Sequence, residues 1–553
     1  MRSRVYFALS LLAGTAVFSL MMAPRALGQE AAKGTHSCES LARLQLTEAK
    51  VISAQNVAAG AFTPPANVTP WLAGDPSFYK KLPAFCRVMV EATPSADSNI
   101  KIEVWMPASE KGAGGWNRKL LGQGNGGFAG EIGYGGLGIG MLQGYATVGT
   151  DTGHSAGGTD ASWALGHPEK VTDFGYRGIH KMTEIAKAVI KAYYGDKLQH
   201  SYFEGCSNGG RQALMEAQRF PEDYDGILAG APANFWTHLL TKALADAQAT
   251  MVDPASYVPA SKLPAIAQAV DAACDSQDGV ADSILNDPRQ CHFDPATMLC
   301  KEGDSEKCLT AAQVTTLKKL YTGPRDSRGR EIFPGYLPGA EEGPGGWSTW
   351  ITGMAPGKSL LFAFSGGYFS NIVYEKPGWN YKETTPEEAL KMADEKTAKL
   401  LNATDADLSV FKARGGKLIL YHGWNDPAIS ALNTINYYNE VIRKMGERDT
   451  TSFTRLYMVP GVQHCAGGPG PDSFGQFGAG AKDAQHNVKL ALEQWVEKGI
   501  APSAIIATKY EGDDASKGVK MTRPLCAYPQ VAKYKGSGDS NDAANFSCVA
   551  GSN

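Results

Sequence analysis

The chain has 553 residues, of which 43% are hydrophobic and 20% are charged, and its net charge at pH 7 is −3. These proportions are typical of a globular protein and exclude wholesale disorder. The small net charge and the lack of a basic run argue against a nucleic-acid partner. At this length we expect several domains, or one large domain that carries an insertion.

The N-terminal segment has the features of an export signal. Arg2 and Arg4 precede an apolar run, and the small residues Ala26 and Gly28 follow it. We therefore predict a signal peptide over residues 1–28 that is cleaved on export and leaves no membrane anchor. All ten cysteines lie beyond it, an even number that suits disulfides in an oxidising compartment. The mature protein is expected to be secreted or periplasmic.

From about residue 99 the chain alternates between strand and helix patterns. The strand patterns are NIKIEVWM, RKLLGQG, YATVGTD, SYFEG and DGILAGAP, and the series resumes with KLILYHGWND and TRLYMVPG. Over residues 179–193 apolar side chains recur every three or four positions and stop at Gly195, which is typical of an amphipathic helix with a glycine cap. Such alternation predicts an α/β fold built on parallel strands.

Between residues 233 and 404 this alternation stops. The segment holds short helical patterns, four cysteines and stretches rich in proline, glycine and tryptophan. A segment of that length inside a compact domain is usually a lid, and its aromatic and cysteine content argues against disorder. We predict a catalytic α/β domain formed by residues 29–232 and 405–553, with residues 233–404 inserted as a lid domain.

The motif G-x-S-x-G occurs twice, around Ser155 and around Ser207. In α/β-hydrolases this motif forms a nucleophile elbow, a sharp turn between a strand and a helix that exposes the serine hydroxyl. Ser207 follows the strand pattern SYFEG and precedes a helical pattern, whereas the residues after Ser155 cannot begin a helix at once. Ser207 is therefore the predicted nucleophile, and the Ser155 motif is predicted to form a loop beside the site.

Asp426 and His464 complete the predicted catalytic triad. A serine nucleophile needs a base, and the base needs a carboxylate that orients it. Both residues follow a predicted strand, and the chain order Ser, Asp, His is that of α/β-hydrolases. The oxyanion of the reaction needs two backbone N–H donors. We assign them to Asn208, after the nucleophile, and to Gly126 or Gly127 in the loop GNGGF after an earlier strand.

Two cysteines flank this predicted triad. Cys206 precedes the nucleophile, and Cys465 follows the base. If the serine and histidine side chains are within hydrogen-bonding distance, their neighbours lie near the Cα separation that a disulfide requires, about 5.5 Å. A bridge between the two cysteines would hold the nucleophile against the base.

With these motifs the sequence resembles the tannase and feruloyl esterase family of α/β-hydrolases, which also contains mono(2-hydroxyethyl) terephthalate hydrolase. The matching stretches are GNGG, TDTGH, GCSNGG, GPGGWSTW, GWND and QHC, and they span nearly all of the mature chain. The family's hallmark is a Cys-Ser nucleophile, an Asp, and a His-Cys pair joined to the first cysteine by a disulfide. The resemblance implies these roles here for Cys206, Ser207, Asp426, His464 and Cys465.

The resemblance also implies a structural calcium ion in the lid and no organic cofactor. The stretch CDSQDGVADSI matches the spacing of the family's calcium loop, and oxygen ligands at alternate positions suit this cation. The implied ligands are the carboxylates of Asp275, Asp278 and Asp282 and the carbonyl groups of Val280 and Ile284. By the same likeness and by proximity, the remaining cysteines are paired as Cys38–Cys86, Cys274–Cys291, Cys300–Cys308 and Cys526–Cys548.

We therefore expect an exported serine carboxylesterase that forms an acyl-enzyme and acts on small esters of aromatic acids, such as those derived from plant walls or tannins. Two alternatives stay open: a terephthalate monoester hydrolase of the same family, and a calcium-stabilised binding protein on a hydrolase fold. Most of the aromatic residues in the lid are expected to form its own core. One or two of them are expected to reach the substrate, and Trp347 is favoured because the glycines before it free its backbone.

Overall fold

The computed structural model describes residues 37–551 except residues 67, 111, 113 and 479. The predicted signal peptide, residues 1–28, lies outside these described residues. Among the helices that are described, none is long and apolar enough to cross a membrane.

A ten-stranded sheet forms the centre of the described structure. Its strands are β1 Gln45–Leu46, β2 Ala49–Val57, β3 Phe85–Ala92, β4 Ile100–Pro107, β5 Lys119–Gln123, β6 Ala146–Thr150, β7 His200–Cys206, β8 Gly226–Gly230, β9 Lys417–Gly423 and β10 Thr454–Val459. Their order is β1-β2-β3-β4-β6-β5-β7-β8-β9-β10, with parallel pairing from β6 to β10 and antiparallel pairing from β1 to β6. The carboxyl ends of the parallel strands therefore meet at one edge, where α/β sheets place their ligand sites.

Helices pack against both faces of this sheet. They are α1 Pro70–Ala73, α2 Tyr134–Leu142, α3 Pro168–Thr172, α4 Gly178–Tyr194, α5 Asn208–Arg219, α6 Trp236–Met251, α7 Leu263–Cys274, α8 Ala311–Thr322, α9 Trp347–Trp350, α10 Leu360–Gly367, α11 Pro386–Leu401, α12 Ser409–Ala413, α13 Ala431–Met445, α14 Glu447–Thr451 and α15 Val488–Lys498. Successive residues of β9 show the two faces. Leu418 and Leu420 pack into the cluster that contains α4, α5 and α13, whereas Ile419 and Tyr421 pack with α15.

The predicted α/β class is confirmed, and the strand and helix patterns from residue 99 onward correspond to β4–β10, α4, α5, α13 and α15. The expectation of parallel strands is wrong for β4, which pairs antiparallel with both β3 and β6. The antiparallel strands before it lack a clear signal in the sequence. β2, for example, reads AKVISAQNV and contains a register shift after Val51, so polar and apolar residues do not alternate regularly along it.

Between β8 and β9 the chain adds helices to the molecule but no strand to the central sheet. The short helical patterns of this segment include two helices of 16 residues, α6 and α11, which pack together through apolar side chains. A second apolar cluster joins α6, α7, α8 and α9. We call residues 233–404 the lid; its separation as a domain stays a prediction.

The C-terminal part adds two small antiparallel pairs of strands. They are β11 Ala504–Tyr510 with β12 Val519–Cys526, and β13 Gln530–Tyr534 with β14 Phe546–Ala550. Five disulfides are present, and they are the pairs named from the resemblance: Cys38–Cys86, Cys206–Cys465, Cys274–Cys291, Cys300–Cys308 and Cys526–Cys548. The last of these connects the two C-terminal strand pairs.

Candidate active site

Ser207 lies in the turn between β7 and α5. Its φ of 65° is in the left-handed region, which a residue other than glycine adopts only where the surrounding structure enforces it. Glycines on both sides permit this turn. A Cβ on Gly205 would lie 2.6 Å from the carbonyl carbon of Gly209, and one on Gly210 would lie 2.3 Å from the carbonyl oxygen of Gly230. Ser207 therefore occupies the strand-turn-helix elbow expected from its motif.

Ser155 has a different environment. It is exposed in a loop that no helix follows at once. This loop supports the neighbouring glycine loop, because the N–H of Phe128 donates to the carbonyl oxygen of Gly158 at 2.7 Å. A Cβ on Gly127, which has a φ of 55°, would lie 2.3 Å from the same oxygen. The second motif is thus a loop beside the site, in line with its predicted place.

Asp426 and His464 meet beyond the carboxyl ends of β9 and β10. His464 Nδ1 donates to Asp426 Oδ2 at 2.8 Å, and the backbone N–H groups of Ala428 and Ile429 donate to Oδ1 at 2.8 and 2.9 Å. Burial raises the pKa of Asp426, but attraction to His464 and the hydrogen bonds to this carboxylate outweigh it, so the pKa lies below its ordinary value. Asp426 is therefore an ionised acceptor that orients His464.

The Cys206–Cys465 disulfide connects this pair to the elbow. Its Cα atoms are 6.0 Å apart, although the two residues are separated by 259 positions in the sequence. Because Ser207 and His464 each adjoin one of the bridged cysteines, the disulfide holds the serine and the histidine in neighbouring turns. The structure thus pairs Asp426 with His464 and places the elbow of Ser207 beside them at one edge of the sheet.

The predicted oxyanion donors lie next to the elbow. Asn208 begins α5, and the first N–H groups of a helix have no partner within it. The glycine loop is tied to the same helix, because the N–H of Asn125 donates to Gln212 Oε1 at 2.9 Å and Gln212 Nε2 donates to Asn125 Oδ1 at 3.1 Å. These bonds place Gly126 and Gly127 beside the start of α5. The donor role of these residues stays a prediction.

His422 is a polar residue of the site that the sequence analysis missed. Its side chain is fully buried, and its Nε2 lies 3.1 Å from Oδ2 of Asp426. Within the strand pattern KLILYHGW a histidine is indistinguishable from an ordinary core residue. Its position four residues before Asp426 is the one signal that the sequence offers.

The family model described as tannase and feruloyl esterase matches residues 86–549. The chain belongs to this family. An uncharacterized esterase of Xanthomonas campestris pv. campestris is 42% identical over 544 residues, which cover 94% of this chain and 92% of the relative. A probable feruloyl esterase B-1 of Aspergillus oryzae is 32% identical over 527 residues, 93% of each chain. The crystal structure of feruloyl esterase B from Aspergillus oryzae is 30% identical, with a TM-score of 0.83 over 93% of this chain and 99% of that one.

As a member of the tannase and feruloyl esterase family, the chain is a carboxylic ester hydrolase with an α/β-hydrolase fold. This finding leaves no support for the alternative of a non-catalytic binding protein. It also fixes the class of substrate as esters.

The structure contradicts the prediction that Trp347 of this esterase contacts the substrate. The side chain is fully buried in the apolar cluster of the lid. Its ring packs against those of Tyr321 and Tyr336, with centroids 5.5 and 6.0 Å apart. The backbone freedom of the preceding glycines lets the chain turn inward at Trp347. This position is favourable because burying so large a ring removes much apolar surface from water.

Trp350, three residues later, is the tryptophan that lies at the Asp426–His464 pair. It is half-buried and meets the His464 ring edge to face, with centroids 4.8 Å apart and an interplanar angle of 73°. Phe364 borders the other side of the esterase site. Its ring lies 3.2 Å from where a Cβ on Gly127 would stand. Two lid aromatics therefore flank the predicted site, one at His464 and one at the glycine loop.

The predicted calcium loop follows the end of α7. Asp275 and Asp278 share a single 3-10 turn, and the Cys274–Cys291 disulfide closes the loop. A cavity of about 10 Å³ lies between this loop and residues of the C-terminal part, about the volume that one water-sized sphere needs. Its lining residues are Asp278, Val280, Asp282, Ile284, Asn286, Pro460, Arg523 and Phe546. Four of the five implied calcium ligands therefore face one small space.

The electrostatics of this loop suit a cation. Burial, together with the charges of Asp282 and Asp275, raises the pKa of Asp278 to about 6. Arg523 from β12 pairs with Asp282, which leaves the loop with more negative than positive charge. Carboxylate and carbonyl oxygens are the ligands that calcium prefers. The types of ligand atom present thus suit calcium, and the calcium site stays a prediction.

Proposed function

We propose that this esterase is an exported serine esterase of the feruloyl esterase or tannase type, which hydrolyses esters of aromatic acids. The observation that carries the proposal is the Asp426–His464 pair, connected by the Cys206–Cys465 disulfide to the elbow of Ser207. The relatives named feruloyl esterase B support the aromatic acyl group.

In the proposed mechanism the Ser207 hydroxyl attacks the ester carbonyl while His464 accepts its proton. Asp426 holds the imidazole and stabilises its positive charge. The N–H groups of Asn208 and of the loop at Gly126 and Gly127 would bind the oxyanion. His464 then gives the proton to the leaving alcohol, which leaves the acyl group on Ser207. A water molecule then attacks the acyl carbonyl while His464 accepts its proton, and His464 returns that proton to Ser207 Oγ as the bond to the acyl group breaks and the aromatic acid leaves.

The choice of acyl group is tested by the initial rates on four esters. They are methyl ferulate, methyl gallate, a terephthalate monoester and a short acetyl ester. We expect kcat/KM for at least one of the first two to exceed that for the acetyl ester at least about tenfold, since a flat apolar ring can pack between two aromatic side chains. A preference for the acetyl ester would contradict the proposal. A preference for the terephthalate monoester would favour the alternative within the family.

Trp350 should discriminate between these substrates. Trp350→Ala is expected to raise KM for methyl ferulate about 10- to 100-fold, because burial and edge contacts of one ring are lost. The acetyl ester, which has no ring, should be affected much less, and Trp350→Phe should retain most of the preference. Phe362→Ala is the matched control, because that lid side chain packs on Tyr381 instead. Equal losses on both esters would show that Trp350 serves the structure alone.

We propose calcium as the ion of the lid loop, held by the carboxylates of Asp275, Asp278 and Asp282 and the carbonyls of Val280 and Ile284. When bound, it would supply positive charge that cross-links the loop. Pro460 lines the same cavity, and Ile284 packs 3.2 Å from where a Cβ on Gly461 would stand. Because Pro460 and Gly461 precede His464 in the same loop, the ion would also support the loop that carries the base.

Removal of calcium should destabilise the protein. A ligand present at about 100 times its Kd stabilises the folded state by about 2.7 kcal/mol, which for a chain of this length corresponds to roughly 2–3 °C in Tm, so a chelator should lower Tm by that amount and added calcium should restore it. Asp278→Asn, which removes one ligand charge at constant shape, should make Tm insensitive to the chelator. The measurements are thermal melts and metal analysis of the purified protein. No bound calcium together with an unchanged Tm would exclude the site.

Export is proposed from the five disulfides, since such bonds persist in oxidising compartments. Protein recovered from the periplasm or the medium should begin near residue 29 when its N-terminus is sequenced. An intact Met1 on active protein inside the cytoplasm would contradict both the export and the cleavage.

A further inference from the structure

His422 makes three polar contacts from a fully buried position in β9. Its Nε2 lies 3.1 Å from Oδ2 of Asp426 and 3.0 Å from the carbonyl oxygen of Ile429. Its Nδ1 lies 2.7 Å from Oγ1 of Thr434, a buried residue of α13. Every nitrogen of the ring therefore has a partner, and one of those partners is the carboxylate that orients His464.

The partners determine where the ring must carry a hydrogen. A carbonyl oxygen and an ionised carboxylate only accept hydrogen bonds, so Nε2 is the donor to both. The Thr434 hydroxyl can donate or accept, and it satisfies Nδ1 in either form of the ring. The imidazole is thus held with a hydrogen on Nε2 that points at Asp426. Ile429 fixes the direction further, because its N–H also donates to Oδ1 of the same carboxylate.

We propose that His422 is a positioning residue of the esterase: its Nε2–H shares Oδ2 of Asp426 with His464 and so sets both the orientation of this carboxylate and its hold on the base. The inference rests on the proposed triad. His422 touches neither the substrate nor the reacting atoms, and it acts through Asp426.

Two consequences follow from a shared oxygen. The carboxylate accepts four hydrogen bonds, two on each oxygen, which leaves it little rotational freedom. The negative charge of Oδ2 is also divided between two donors, which moderates the attraction that His464 feels. Titratable groups that face Asp426 in the described structure include His422 from β9, His464 from the loop after β10, and Tyr336 from the lid. Removal of the His422 donor would therefore change the rotational freedom and the charge distribution of the Asp426 carboxylate, while the base His464 stays in place.

The test compares variants of the full-length enzyme on a chromogenic short-chain ester from about pH 5 to 9, and it also records Tm. His422→Leu removes the donor and fills its place in the core with an apolar side chain. It should lower kcat about 10- to 100-fold with KM nearly unchanged, and it should move the acid limb of the kcat/KM profile upward by roughly half a unit or more. His422→Gln, which can place an N–H near the position of Nε2, should recover much of kcat and return the acid limb towards its original position.

Two further variants separate positioning from folding. Thr434→Val leaves the donor to Asp426 in place but removes the contact to Nδ1, so it should lower kcat less than His422→Leu does. His200→Leu, at the opposite end of the sheet, should leave kcat and the acid limb unchanged. If His422→Leu lowers Tm while kcat and the acid limb stay at the values of the native enzyme, the residue is merely structural and the proposal is wrong. An acid limb that moves downward also overturns it.

Ser207→Ala in the same assay distinguishes a failure of the positioning role from a failure of the proposed triad. If that variant is inactive and His422→Leu behaves like the native enzyme, the triad stands and the positioning role fails. If Ser207→Ala keeps its activity, the proposed triad fails, and the inference about His422 fails with it.

Discussion

Ser207→Ala should lower kcat on a short-chain chromogenic ester by about 10³- to 10⁶-fold, with little change in Tm. The variant removes the hydroxyl that would form the acyl-enzyme, while the elbow and the Cys206–Cys465 disulfide stay in place. The residual rate would come from substrate binding and the oxyanion donors alone. Initial rates and a thermal melt on the same preparation are the measurements.

Ser155→Ala is the matched control, because it makes the same chemical change in the second G-x-S-x-G motif. Ser155 is exposed in a loop that no helix follows at once, so the variant should retain most of the activity. If Ser155→Ala is inactive and Ser207→Ala is active, the assignment of the nucleophile is reversed. Mass spectrometry with a covalent serine inhibitor should independently find the label on Ser207.

Asp426→Asn should reduce kcat by about 10³- to 10⁴-fold. Its amide oxygen can still accept from Ala428 and Ile429 in the place of Oδ1, so the local backbone should survive. The amide N–H₂ group, however, would face Nδ1 of His464 as a donor, which favours the wrong tautomer of the base and removes the charge that stabilises it. Asp472→Asn is the control, since Asp472 accepts from the nearby N–H of Gly467 and pairs with Lys509 instead of His464. Equal activity losses in the two variants would contradict the role of Asp426.

The same substitution should have a pH-dependent effect on stability. The pKa of Asp426 in the folded protein lies below its ordinary value of 3.8. A carboxyl group of this kind stabilises the fold above the unfolded pKa, and that contribution is lost as the pH falls towards the folded pKa. The difference in Tm between the native enzyme and Asp426→Asn should therefore be largest above about pH 5 and should shrink in more acidic buffers. A difference that grows as the pH falls would be the wrong sign.

The sequence was sufficient to predict where Ser207, Asp426 and His464 lie, because each is identified by its order in the chain and by its place after a strand. Ser207, Asp426 and His464 each follow a strand of the parallel part of the sheet. Parallel strands bring their carboxyl ends to one edge, and this does not depend on the structure of the lid. The partners of the other eight cysteines, outside the Cys206–Cys465 bridge, could not be derived from the residues alone, because even eight cysteines allow many pairings. The family likeness supplied those pairs.

The choice between Trp347 and Trp350 shows where sequence reasoning ends. Both tryptophans lie in one helical turn, α9, and no local pattern distinguishes them. The position of Trp347 depends on Tyr321 and Tyr336, which pack on it. The position of Trp350 depends on His464, which follows the lid in the chain. Contacts between residues so distant in the chain are tertiary, and no residue near the two tryptophans predicts them.

The Cys206–Cys465 disulfide also decides how the molecule responds to proteolysis. The bridge closes a covalent loop that contains the whole lid, residues 233–404, and each of the other four disulfides lies wholly before, within or after the lid. A protease that cuts the lid once therefore produces two fragments that stay joined, with the full mass on a non-reducing gel and two bands after reduction. Because a cut chain keeps Ser207 and His464 tethered, the activity of such a nicked sample would report on the continuity of the lid separately from the assembly of the triad.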